Sequence, residues 1–263
     1  MAPAVASAGV SRISEESRAG GAADPPRGWA VVRARAEAVR EMRRRYGLRL
    51  TLVLAARWLA LPWFRRRHGG SFHFDGGEYE YLLHRHRITW ANERAVEIPI
   101  ALRFLAEHRP EDVLEVGNVL SHYVETRHRV VDKYDSDPRV ERLDVLEIPR
   151  AARYQLVLSV STLEHVGWDE SPRDPDKFLH AVEHLEACLV PGGRLVFTVP
   201  LGYNAWVDRL LAEGRVRLTR LACLERVGDL DWRQVPWEAK TRTRYGSPFP
   251  FGNTIAVCLY EAP

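Results

Sequence analysis

The run Leu156-Val-Leu-Ser-Val160 is apolar at every position but one, with no alternation of polar and apolar residues. A strand of that kind needs cover on both faces, which is the condition found inside a parallel sheet. Parallel strands in turn need crossover connections of about a dozen residues or more, normally helices. The rest of the chain supplies them. Val113–Val116 and Arg129–Val131 read as strands, and Leu143 closes a third short extended piece. Arg194–Val199, Leu221–Leu224 and Thr254–Tyr260 read as the later strands. Between them Asn92–His108, Lys177–Leu189 and Trp206–Glu213 carry helical stripes, and one more helix is expected after Val116, running to about Val124. Pro99 either kinks the first of these helices or marks its first turn. Strands alternating with helices specify an α/β, doubly wound sheet.

A chain of 263 residues, 46% of them hydrophobic, holds one such domain and an appendage. Residues 1–28 are small, polar and punctuated by Gly and Pro, as in a disordered tail. Residues 29–91 read as a basic and apolar N-terminal helical extension and substrate cover, with helices over Trp29–Tyr46 and Thr51–Trp63. The apolar stretch Leu48–Phe64 lies between arginine triplets, but Arg49, Arg57 and Pro62 interrupt it, and a bilayer span wants about 20 apolar residues. Packing on the main domain, or on a second copy in a homodimer, is the favoured reading and membrane contact the weaker one. The segment Phe72–Arg87, rich in aromatic residues and histidine, either lines a substrate entrance or packs as a cover. A net charge of +3 is too mild to point to nucleic acid. Lysine occurs only at 133, 177 and 240, and the other basic residues are arginine. Cys188, Cys223 and Cys258 are widely spaced and form no metal-binding pair, as in a reduced cytoplasmic protein.

Ligands of doubly wound sheets bind at the carboxyl ends of the strands. Glu115, Gly117 and Asn118 follow the first strand, Asp132 the second, Asp144 and Val145 the third, and Ser159 to His165 the fourth. A carboxylate at 132 can accept both hydroxyls of an adenosine ribose, and one at 144 the adenine amino group. With its order and spacing, residues 92–263 resemble a class I S-adenosylmethionine (SAM)-dependent methyltransferase. Leu163-Glu-His-Val166 after the fourth strand and Pro191-Gly-Gly193 before the fifth narrow the resemblance to the small-molecule group. The resemblance implies a seven-stranded sheet with the last strand antiparallel, SAM as cofactor, and cofactor contacts from Glu115, Gly117, Asn118, Asp132, Asp144, Val145 and Ser159. The family's first motif commonly has two or three glycines, and here Gly117 stands alone.

If the acceptor is a hydroxyl, a base must take its proton, and histidine suits that near neutral pH. His165 is the first candidate, with a packing role as its alternative, and His122 is the second. Glu164, Trp168, Asp169, Tyr203 and Asn204 are candidate substrate contacts. No metal-binding spacing stands out. The expected reaction is methyl transfer to O or N of a small molecule, such as a sugar-containing or other natural-product intermediate. Two other readings remain. One is a non-catalytic methyltransferase-like domain that binds a partner through its basic helices. The other is an NAD-dependent oxidoreductase, which the lack of G-x-G-x-x-G disfavours.

Overall fold

The computed structural model describes residues 40, 43–44, 47–67, 70–238 and 244–263. The expected tail 1–28 and most of the expected helix Trp29–Tyr46 lie outside them. The chain divides into two compact units, residues 1–51 and 52–263. The described residues of the first are all helical. In the second, residues 52–59 and Leu61–Arg67 are helical, with Pro62 in the opening turn of the later helix, where its missing N–H costs no hydrogen bond. Among the described residues no helix is long and apolar enough to cross a membrane.

The segment Phe72–Arg87 begins in strand. β1 (Ser71–Phe74) and β2 (Gly77–Glu80) form an antiparallel hairpin. Phe72 and Phe74 alternate inward and join Val96, Ile100, Leu224, Trp232 and Ile255 in one apolar cluster. Seven strands make the main sheet: β3 (Val113–Val116), β4 (Arg129–Val131), β5 (Tyr154–Val160), β6 (Leu189–Pro200), β7 (Arg220–Gly228), β8 (Asp231–Val235) and β9 (Thr254–Glu261). Their order is β4-β3-β5-β6-β9-β7-β8. β3 to β6 run parallel, and the last strand, β9, lies antiparallel between β6 and β7. The fold is therefore the Rossmann-like sheet with an inserted last strand that the resemblance implied.

Two edges differ from expectation. The third extended piece survives only as a single parallel bridge between Val131 and Glu141. The seventh strand is instead β8, which folds back on β7. The helix Arg94–Ala106 keeps Pro99 in its interior. Proline cannot donate to the carbonyl four residues earlier, and the amide of Leu82 takes that place, bonding Ala95 O at 3.0 Å. Chain reversal occurs at β3, with β4 on one side and β5 on the other, so a crevice opens at their carboxyl ends.

Candidate active site

That crevice holds a cavity of about 530 Å³, lined from β3 by Val116 and Gly117, beyond β4 by Asp132 to Tyr134, and beyond β5 by Thr162, His165 and Val166. Leu143, Asp144, Val145, Asp169 and Glu170 complete it. Of the expected cofactor contacts, Gly117, Asp132, Asp144 and Val145 reach the cavity, and Glu115, Asn118 and Ser159 do not.

Gly117 turns the chain with φ +89°, and a Cβ there would run into the Thr162 side chain. One glycine is therefore needed for backbone shape and for the close approach of β5. After it the chain makes only a 3-10 turn, Leu120–His122, where a helix was expected. Glu115 explains the shortfall. Its buried carboxylate accepts from Val119 N (3.0 Å) and Leu120 N (2.8 Å), and its other oxygen meets His128 Nε2 at 2.8 Å. The side chain expected near a cationic ligand is thus consumed in shaping the turn. Asn118 is buried as well, and its side chain bonds Asp135 and Ser121. Ser159 ties β5 to the end of β3 through Val116 O at 2.9 Å.

Asp132 accepts backbone N–H groups from Asn118 (3.0 Å), Tyr134 (2.8 Å) and Asp135 (3.0 Å). A carboxylate offers about four lone-pair sites, so one further donor can be received on the cavity side. Asp144 is different. Lys177 Nζ and Lys133 Nζ lie 2.6 and 2.9 Å from it, and both lysines also contact Glu170. Burial alone would raise the Asp144 carboxyl, but the two ammonium groups outweigh it and hold it at about 2. Asp144 thus reaches the cavity with its carboxylate already paired to two ammonium groups. The sequence signal was the rarity of lysine: two of the three in the chain meet here.

Beyond β5, His165 ends a 3-10 turn, Leu163–His165. Its Nδ1 is 2.5 Å from Asp169 Oδ2, and Tyr203 donates to the same carboxylate at 2.6 Å. Burial raises the Asp169 carboxyl, but these two hydrogen bonds prevail and keep it below its usual range. Asp169 therefore fixes the proton on Nδ1 and leaves Nε2 as the basic atom. His122 stacks on His86 at 4.5 Å and does not line the cavity. Trp168 carries Arg173 over its ring and also stays outside the lining. Asn204 is buried. It caps the helix Ala205–Ala212 through Trp206 N and Val207 N, and donates to Glu164 O at 2.8 Å. It pins the His165 turn and does not line the cavity. Glu164 is wholly buried behind the cavity wall.

No protein-family model matches the chain, and no curated protein matches it. Solved structures do match. An N-methyltransferase NodS from Bradyrhizobium japonicum, in complex with S-adenosylhomocysteine, is 15% identical with a TM-score of 0.40, over 62% of this chain and 83% of that one. An rRNA methylase from Streptococcus thermophilus is 15% identical at 0.39, over 64% and 97%. An amino pentose methyltransferase, CalS10, from Micromonospora echinaspora is 20% identical at 0.28, over 37% and 47%. At such TM-scores these likenesses decide neither a substrate nor a residue role.

Proposed function

We propose that this protein is a SAM-dependent methyltransferase acting on O or N of a small molecule, with a natural-product intermediate as the substrate class. The observation that carries the reading is the shape and lining of the crevice at β3. Gly117 and Val145 leave room there, Asp132 offers a carboxylate to a ribose, and a histidine oriented by an acid stands across the cavity. A pyrophosphate would need several glycine amides, and one positive-φ glycine with a carboxylate on the next strand suits an uncharged ribose better. The cofactor supplies, when bound, a methyl group on a sulfonium.

The chain's own residues bind, orient and accept a proton. Displacement at a methyl carbon is in line, so most of the rate comes from holding donor and acceptor in register. Tyr203 and Asp169 hold the His165 ring, and Nε2 takes the proton of a hydroxyl acceptor as the new bond forms. The modest net charge favours a small acceptor over a nucleic acid. Calorimetric titration with SAM, S-adenosylhomocysteine and NAD tests the reading. Saturable binding of the first two and none of NAD is expected, and failure of both to bind would sink it. Profiling metabolite extracts for added methyl groups then identifies the acceptor.

A further inference from the structure

Glu164 is a buried acid that the fold leaves poorly satisfied. Its side chain is 1% exposed, and neither carboxyl oxygen has a hydrogen-bond partner among the described residues. A buried polar group in that condition destabilises the fold relative to one that is satisfied. An apolar side chain of the same size would remove the cost, so packing gives no reason for the carboxyl. Its surroundings do not help. From the helix Arg94–Ala106, Glu93, Glu97 and Arg94 face it, and Arg94 is taken by Glu97 Oε2 (2.9 Å) and Val160 O (3.2 Å). Ser161 donates to Glu97 as well, at 2.5 Å.

One contact remains. Glu164 Oε1 lies 3.6 Å from His165 Nε2, the nitrogen that Asp169 leaves basic. The His165 side chain is 44% exposed, so the ring stands between the cavity and the buried carboxyl. We propose that Glu164 is a positioning residue for His165, whose carboxyl stands beside Nε2 and steadies the positive charge that spreads over the ring when that nitrogen takes a proton. The proton leaves the acceptor O–H or N–H and binds the Nε2 lone pair, and the imidazolium so formed is stabilised by Glu164 Oε1 on one side and by Asp169 at Nδ1. Burial pushes the Glu164 carboxyl well above its usual range, with Glu97 and Glu93 adding to the effect. Either form still offers an acceptor oxygen. The methyl-transfer reading enters only as the source of the proton.

The test is a pH titration by NMR of the protein with ¹⁵N-labelled histidine, His165→Ala assigning the ring signals. Wild type, Glu164→Leu and Glu164→Gln are compared, each with and without S-adenosylhomocysteine. In Glu164→Leu the protonation midpoint of His165 is expected to fall by about one pH unit. Glu164→Gln keeps an acceptor oxygen and should fall less. A residue retained for packing alone would lower the melting temperature of the leucine variant and leave the His165 midpoint where it is, which overturns the proposal. Should Glu164→Leu not fold, an unchanged midpoint in Glu164→Gln overturns it equally. Failure of S-adenosylhomocysteine to bind wild type would remove the proposed function and leave the ligand-free titration still readable.

Discussion

Two turns leave the same edge of the sheet, and each carries a buried glutamate. After β3, Glu115 has both oxygens engaged, by two backbone amides and by His128. After β5, Glu164 has neither engaged. The two residues are alike in type and burial, and they differ in what their removal should do. A satisfied buried carboxylate belongs to the structure, because each donor around it would otherwise be orphaned. An unsatisfied one is a stability cost that a functional site can carry.

Glu115→Ala is the strongest way to break the contrast. It strands two amides and a buried imidazole, and should cost about 3 kcal/mol or prevent folding, read as a fall in melting temperature or in urea midpoint. If the variant melts like wild type, the turn is held by something other than Glu115. On the β5 side, His165→Ala should lower turnover about 100-fold with S-adenosylhomocysteine affinity nearly unchanged, since the ring is half-exposed and supports little else. Full turnover would remove it as the base. Asp132→Ala should weaken SAM binding about tenfold by calorimetry, and an unchanged affinity would show that the ribose lies elsewhere.

The smallest effect belongs to the lysine clasp. With its folded-state value at about 2, below the ordinary value of an aspartate, Asp144 contributes stability that is present above about pH 4. That contribution is lost as pH falls toward 2. Asp144→Asn should lose about 1 kcal/mol of stability at neutral pH, read from urea unfolding, and its stability should fall less steeply between those limits. A profile parallel to wild type would show that the lysines do not hold Asp144 as described.

Much of the architecture was legible. The strands β3 to β7 and β9 announce themselves by short apolar runs, and the helix Lys177–Glu186 by its stripe of Phe178, Val182 and Leu185. The hairpin β1–β2 was not, because Phe72 and Phe74 alternate over only four residues before the turn. β8 escaped for a similar reason, its Asp-Trp-Arg-Gln-Val carrying one buried side chain, Trp232. Of the residues expected at the site, Gly117, Asp132, Asp144, Val145, His165 and Asp169 line the cavity. Lys133, Lys177 and Thr162 were missed, since the pairing and contact that give them meaning link residues far apart in the chain.

The amino-acid sequence by itself determined which segments would be strands and helices, and that acids, a glycine and a histidine would gather where the strands end. Those features follow from local periodicity and chain order. Only the tertiary structure decided how each polar group is used. Glu115, Asn204 and Asp144 close on partners inside the protein, Asp132 and His165 face the cavity, and Glu164 is left without a hydrogen-bond partner for its carboxyl among the described residues. A carboxylate has the same chemistry at every position along a chain. Its role depends on which donors come within about 3 Å, and those donors arrive from elements that only the folded sheet brings together.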